Sequence, residues 1–110
     1  MKVSSQRCGG ELKISLSGEL DHHAARRAIP EIAAITDIEL PVALIIDFEK
    51  VSFMDSSGIA VVIGAYKRAT SVGSRFSVIN VSKQAYKVFS AAGICKLLSI
   101  SEREKERVNI

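Results

Sequence analysis

The first twenty residues carry the alternation of polar and apolar positions that is typical of β-strands. Residues 2–8 alternate weakly, Gly9-Gly10 follow, and residues 12–16 (LKISL) alternate without a break. Two glycines between two such segments are a common signal for a two-residue hairpin turn. Because only every second residue of 12–16 is apolar, one face of that strand should lie in the core. The chain is thus predicted to begin with a β-hairpin whose second strand ends at Gly18.

The next segment changes to a helical period. Asp21 is a candidate N-cap, because its side chain can accept a hydrogen bond from a free N–H group at a helix start. Apolar residues then recur on one side of the helix: Ala25, Ala28, Ile29, Ile32, Ala33 and Ile35. Pro30 lies inside this helix, where it removes a backbone donor and crowds the preceding turn. We therefore expect Pro30 to kink the helix or to begin a second one.

A buried strand and a further helix are predicted for the middle of the chain. Residues 42–46 (VALII) form a continuous apolar run, which is typical of a strand buried on both faces of a parallel sheet. Residues 57–71 then predict a helix, which Gly73 ends. Its apolar positions at helical spacing are Ile59, Val62, Ile63 and Tyr66. We expect these positions to face the core.

The last third of the chain repeats this alternation. Residues 75–79 predict a strand, Ser82 is a candidate cap for a helix that Gly93 ends, and residues 96–100 predict a short last strand. Residues 101–110 alternate in charge, which indicates a solvated helical tail. The predicted order is β-β-α-β-α-β-α-β, with a mixed, mostly parallel sheet that opens with a hairpin. We expect one α/β domain over residues 1–110.

Composition narrows the class of protein. The chain has 110 residues, of which 47% are apolar and 25% charged, as is usual for one globular domain. No run approaches the roughly 20 apolar residues of a membrane span, so we expect a cytoplasmic protein without membrane contact. The net charge of +3 is scattered, and aromatic residues do not interleave with basic ones, so direct nucleic-acid binding is not expected. Cys8 and Cys95 have neither a close partner nor a neighbouring His, which indicates reduced thiols.

Residues 53–58 (FMDSSG) place polar side chains where a buried strand ends and a helix begins. In open α/β sheets, ligands and chemistry gather at that edge. The simplest interpretation is capping, in which Asp55 or Ser56 accepts a hydrogen bond from the helix start and stabilises it by about 1 kcal/mol. Capping accounts for one polar residue, but it does not account for a consecutive Asp, Ser and Ser.

An enzymatic alternative makes Ser56 the nucleophile of a hydrolase. The G-x-S-x-G elbow requires a glycine two residues before the serine, where this chain has Met54. His22 and His23 are the only imidazole bases, and as neighbours they lack the i, i+4 spacing of helical metal ligands. The chain has no G-x-x-x-x-G-K-[ST] phosphate loop. A phosphoaspartate at Asp47 would need an acidic pair on an early strand to hold Mg²⁺, and the first predicted strands carry none.

The remaining interpretation makes the motif a substrate of another enzyme. A hydroxyl at an exposed helix start can be reached by a kinase, and the positive end of the helix would stabilise the phosphate by about 0.3–1 kcal/mol. Glu19 and Asp21 follow the second predicted strand, so in a mixed sheet they could share an edge with Asp55. Added negative charge there would repel an acidic group of a partner by about 1 kcal/mol at 4 Å in water. The residues alone do not distinguish Ser56 from Ser57 as the acceptor.

Two motifs, GELDHH at residues 18–23 and VSFMDSSG at residues 51–58, together resemble a known family. In this order and at this separation they are similar to the anti-sigma factor antagonists of the STAS domain class, closest to the sporulation type. The resemblance extends over nearly the whole chain, including GAYKRA at residues 64–69 and VFSAAGICKLLSI at residues 88–100. It implies a STAS-like single domain in a small bacterial cytoplasmic protein, with no cofactor and no catalysis of its own. A STAS-like scaffold that is never phosphorylated and joins a larger regulatory assembly is an alternative within the same fold.

The resemblance also implies regulation by partner switching. In this family the unphosphorylated antagonist binds an anti-sigma factor that is also a serine kinase, and this frees the sigma factor. The kinase, using its own ATP, then phosphorylates the serine directly after the motif aspartate, which here is Ser56. A serine phosphatase restores the active form. The implied partner-binding residues are Glu19, Asp21, His22, Asp55, Ser57 and Gly58.

Overall fold

Strands and helices alternate along the described part of the chain, in the predicted order β-β-α-β-α-β-α-β. The computed structural model describes residues 1–103. Five strands, β1 to β5, comprise Lys2–Cys8, Glu11–Leu20, Ala43–Met54, Arg75–Val81 and Ile100–Glu102. Three helices, α1 to α3, comprise His22–Glu39, Ser57–Ser71 and Lys83–Ala91, and a short 3₁₀ helix comprises Ile94–Lys96.

The five strands form one sheet in the spatial order β1-β2-β3-β4-β5. β1 and β2 form the antiparallel hairpin predicted around Gly9-Gly10, and every later neighbouring pair is parallel. The mixed, mostly parallel sheet of the prediction is thus confirmed. Because β2 and β3 run in the same direction, their last residues, Leu20 and Met54, are register partners. We call residues 19–22 and 55–57, which surround these two strand ends, the carboxyl edge.

The helices pack against one face of this sheet. Leu44 and Phe76 are register partners on β3 and β4, and the ring of Phe76 lies edge-on to Tyr66 of α2, with centroids 5.8 Å apart. Phe48, on the same side of β3, makes the same kind of contact with Phe89 of α3, also at 5.8 Å. Both Phe48 and Phe89 are fully buried. Edge-to-face pairs stabilise a fold by about 0.5–1.5 kcal/mol beyond the burial of their surface.

The opposite face of the sheet is more open, and Asp47 is its one buried charged residue among residues 1–103. The Asp47 carboxylate accepts a hydrogen bond from the Asn80 side chain at 2.9 Å and another from the Glu49 backbone N–H at 3.0 Å. The ammonium of Lys13 lies 4.0 Å away. Buried carboxylates are stable when they are paired in this way, so Asp47 has a structural role here.

Helix α1 continues through Pro30 as one helix, so the predicted second helix does not form. A proline lacks the N–H group that would bond to the carbonyl of Arg26, four residues earlier. Arg26 is exposed, which allows water to satisfy that carbonyl. Ala28 and Ile32, on either side of the proline, are each 1% exposed. Both side chains are thus anchored in the core, one before and one after the proline.

The buried stripe of α2 differs from the predicted one. Of the four predicted positions only Val62 is fully buried, and Tyr66 is 41% exposed. The fully buried positions are Gly58, Val61, Val62, Ala65 and Ala69. Small residues let the helix axis approach its neighbours closely, so the larger Ile59, Ile63 and Tyr66 lie at the margins of the contact.

Three predicted boundaries were wrong. The predicted strand 42–46 is part of the longer strand β3, which begins at Ala43 and leaves Val42 exposed, and helices cover only one of its faces. β2 does not end at Gly18 but continues to Leu20. The register of β2 with β3 shifts at Gly18, and Gly18 has a φ of 111° there, which a residue with a side chain rarely adopts. Residues 96–100 do not form the last strand. Gly93, with a φ of 77°, instead begins the 3₁₀ helix, and β5 starts only at Ile100.

Residues 101 and 102 belong to β5, so they are not helical as predicted. The rest of the predicted helical tail, residues 104–110, lies outside the described residues. In the described part of the chain, no helix has both the length and the apolar character that a membrane crossing requires.

Cys8 is exposed, Cys95 is half-buried, and both are free thiols. Hydrogen bonding with the Cys95 side chain raises the pKa of Tyr86 above its ordinary value.

Candidate functional site

The carboxyl edge brings together two sequence motifs that are far apart along the chain. The backbone N–H of Asp55 donates to the carbonyl of Leu20 at 3.3 Å, so the turn after β3 is joined to the end of β2. Asp21 and Asp55 each follow their strand by one residue. Parallel pairing therefore places both aspartates at one edge of the sheet, where open α/β sheets present their functional groups.

Asp21 is the N-cap of α1, as its position predicted. Its carboxylate accepts a hydrogen bond from the Ala24 N–H at 2.9 Å. Glu19 and His22, on either side of it, are exposed. A shallow groove of about 340 Å³ adjoins this cap, lined by Met1, Glu19, Asp21, His23, Ala24 and Arg27. Asp21 thus both fixes the start of α1 and contributes a carboxylate to the surface.

Asp55, Ser56 and Ser57 have different roles at the start of α2. Ser56 occupies the N-cap position, but its side chain makes no capping bond. The Asp55 carboxylate instead accepts a hydrogen bond from the Ser57 N–H at 2.8 Å. Ser56 is exposed, and no hydrogen bond to its hydroxyl occurs within residues 1–103, whereas Ser57 is half-buried. Asp55 therefore supplies the capping, and the hydroxyl of Ser56 is the more accessible of the two.

Gly58 lies beneath this surface, because it is buried against β2 and β3. A Cβ atom at this position would overlap the Cγ and Sδ atoms of Met54 and would lie 3.2 Å from Leu20 Cδ2. Both neighbours are fully buried. The absence of a side chain at Gly58 thus allows the first turn of α2 to rest on the ends of the two strands.

Gln84 of α3 is a site residue that sequence reasoning missed. Its side-chain amide donates to the Met54 carbonyl at 2.6 Å and accepts from the Met54 N–H at 3.0 Å. The last register pair between β3 and β4 is Asp47 with Ile79, so Met54 has no strand partner on that side. Gln84 takes the place of this partner at Met54, the residue directly before Asp55. A glutamine two residues after a helix cap is not a recognisable sequence signal for such a contact.

We expect Gln84→Ala to lower the free energy of unfolding by about 1–3 kcal/mol, because it leaves the backbone N–H and C=O of the buried Met54 without their hydrogen-bond partner. Urea unfolding measures this change. Amide hydrogen exchange at Met54 should also become faster. Lys83→Ala is the matched control, since Lys83 is exposed on the same helix and has no hydrogen bond or ion pair from its side chain within the described chain. Equal exchange rates at Met54 in both variants would contradict this role of Gln84.

A second groove adjoins Ser56, between the start of α2 and α3. Its volume is about 530 Å³. The residues that line it are Ser56, Ile59, Lys87, Val88, Ala91 and Ala92. Apart from the serine and the lysine, this lining is apolar. Ser56 therefore stands between an acidic surface formed by Glu19, Asp21 and Asp55 and an apolar groove.

The structure offers nothing that favours the hydrolase alternative. Within residues 1–103 neither His22 nor His23 hydrogen-bonds to the hydroxyl of Ser56, and His23 lines the groove beside Asp21 instead. No cluster of three or more His, Cys, Asp or Glu side chains in the described range could hold a metal ion.

The comparison with protein families gives a match over nearly the whole chain. Residues 2–107 match the STAS domain. A similar relative is an anti-sigma F factor antagonist from Lysinibacillus sphaericus, 37% identical over 81 residues, which cover 74% of this chain and 69% of the relative.

Solved structures of one protein, SpoIIAA, are also similar to this fold. The structure of the anti-sigma factor antagonist SpoIIAA in its unphosphorylated form has a TM-score of 0.75 and 29% identity, covering 98% of this chain and 94% of SpoIIAA. The structure of the Bacillus cell fate determinant SpoIIAA in the phosphorylated form has a TM-score of 0.68 at the same identity, covering 98% and 97%. Sequence and fold agree with the resemblance seen in the motifs: the chain belongs to the STAS domain family.

Proposed function

We propose that this protein is an anti-sigma factor antagonist. In its unphosphorylated form it binds an anti-sigma factor, and a sigma factor is thereby released. The proposal is supported by the membership of the STAS family and by the relatives named as anti-sigma factor antagonists. The chain acts as a binding module with no catalytic step of its own, in the cytoplasm, without contacts to nucleic acid or membrane. ATP belongs to the partner.

We further propose that the anti-sigma factor is a serine kinase that phosphorylates Ser56. The observation that carries this proposal is the state of the Ser56 hydroxyl. It is exposed and, within residues 1–103, takes no part in a hydrogen bond, because Asp55 provides the cap of α2. The fold therefore does not need this hydroxyl, which remains available to accept the γ-phosphoryl group of ATP. A serine phosphatase returns the protein to its binding form.

The docking surface in this proposal is the carboxyl edge around Ser56. Glu19, Asp21 and His22 contribute it from β2 and α1, and Asp55 and Ser57 contribute it from the turn before α2. Gly58 lies under this surface, and because it has no side chain, α2 can lie close to the ends of the two strands. A phosphate on Ser56 adds nearly two negative charges to this acidic surface. Each close contact with an acidic group of the partner then costs about 1 kcal/mol in water and about 4 kcal/mol when partly shielded.

Mass spectrometry tests the phosphorylation directly. The protein is mixed with ATP and with each candidate anti-sigma kinase of the source organism, and intact masses and peptides are measured. We expect a single added phosphate on Ser56, lost in Ser56→Ala and kept in the matched variant Ser57→Ala. A phosphate on Ser57, or a kinase that binds the protein tightly but transfers nothing, would contradict the assignment of Ser56.

A further inference from the structure

Lys87 of α3 lines the same groove as Ser56 and is the only charged residue of that lining. It is exposed, and its ammonium makes no ion pair with the side chains of residues 1–103. The other lining residues, Ile59, Val88, Ala91 and Ala92, are apolar. Lys87 and Ser56 thus lie on one open, mostly apolar surface.

The position of α3 directs this lysine toward the turn that carries Ser56. Gln84 and Lys87 are three residues apart, and residues at this spacing lie on the same side of a helix. Gln84 is joined to both polar groups of the Met54 backbone, at 2.6 and 3.0 Å. Met54 precedes Ser56 by two residues. The side of α3 that bears Lys87 therefore faces the turn, and the Gln84 contact fixes the distance between the two elements.

We propose that the ammonium of Lys87 binds the phosphate of phosphorylated Ser56 within the same chain. The inference rests on the proposed function for the occurrence of this phosphate. The contact is an ion pair between a phosphate oxygen and Nζ, and it draws the phosphate over the apolar groove. Modification then changes the surface in two ways, since it adds negative charge to the carboxyl edge and it covers the groove beside it.

The test uses the full chain with phosphoserine inserted at position 56 during translation, so that it does not depend on any kinase. The second pKa of the phosphate is measured by ³¹P NMR titration, with Lys87→Gln compared with the unsubstituted chain. A nearby ammonium favours the dianion, so we expect this pKa to be lower by about half a unit or more when Lys87 is present. Asp55 acts in the opposite direction, but it is the same in every sample and cancels in the comparison.

Lys83→Gln is the matched control, because it removes the same charge from the same helix but at a position that does not line the groove. We expect this variant to keep the pKa of the unsubstituted chain. The proposal is overturned if Lys87→Gln leaves the phosphate pKa unchanged, or if Lys83→Gln raises it equally. Failure of the proposed function would be seen separately, as the absence of phosphate transfer to Ser56 by the kinases.

Discussion

Ser56→Asp is expected to weaken the binding of the anti-sigma factor by about fivefold or more, whereas Ser56→Ala should bind as tightly as the unsubstituted protein. The hydroxyl of Ser56 makes no hydrogen bond within the described residues, so its removal costs the fold little. An aspartate places a carboxylate next to Asp55, at the edge of the sheet that also carries Asp21. One unfavourable contact with an acidic partner group at 4 Å costs about 1 to 4 kcal/mol, depending on its exposure to water, and 1.4 kcal/mol is a tenfold loss of affinity.

Titration calorimetry at two salt concentrations measures this effect. The loss of affinity in Ser56→Asp should be smaller at high ionic strength, because added salt shortens the range of charge repulsion. Ser4→Asp is the matched control, since Ser4 is an exposed serine in the middle of β1, away from the carboxyl edge. It changes the net charge equally and should leave binding unchanged. If Ser56→Asp bound as tightly as Ser4→Asp, charge repulsion at this position would not be the switch.

Gly58→Ala is expected to lower the free energy of unfolding by about 1–3 kcal/mol, as is usual when a methyl group is forced into a packed core. The added Cβ would overlap the Cγ and Sδ atoms of Met54, so this fully buried side chain would have to shift within the core. For a domain of this size such a loss lowers the melting temperature by several degrees. Chemical and thermal unfolding of the purified variant measure both quantities.

Gly64→Ala is the matched control for this substitution, because Gly64 lies on the same helix and its Cβ would meet only Ile29 Cγ2, at an ordinary 3.7 Å. There the higher helix propensity of alanine should leave stability unchanged or raise it by up to about 1 kcal/mol. In a Met54→Ala background the space is open, so Gly58→Ala should cost less than it does alone. Equal effects of the two glycine substitutions, or full additivity with Met54→Ala, would contradict the steric explanation.

The elements that the sequence predicted well depend on local interactions. The caps at Asp21 and Ser82 are hydrogen bonds to a backbone N–H only three residues away, at 2.9 and 3.1 Å. The hairpin around Gly9-Gly10 and the helix Ser57–Ser71 depend equally on neighbouring residues. The proximity of Asp21 and Asp55 followed from strand direction alone. Their predicted meeting at one edge is confirmed by the register of Leu20 with Met54.

The features that could not be predicted depend on contacts between distant parts of the chain. Which residues of α2 are buried depends on how closely the helix approaches its neighbours. Ala65 and Ala69 are therefore buried, while Tyr66 is exposed. The bond between Gln84 and Met54 exists because β4 has already diverged from β3. The position of the last strand depends on the turn at Gly93. The roles of the site residues in partner binding stay predictions.

The turn that carries Ser56 is fastened on three sides before any partner arrives. Asp55 bonds to the end of β2 through its N–H and to Ser57 through its carboxylate, and Met54 is held by Gln84. The turn is therefore ordered when the domain folds, and its conformational entropy is lost at that step rather than on binding. In the proposed complex a partner would meet a preorganised surface, so little of the binding free energy would be lost in ordering it. Association should accordingly resemble the docking of rigid bodies rather than the coupled folding of a flexible segment.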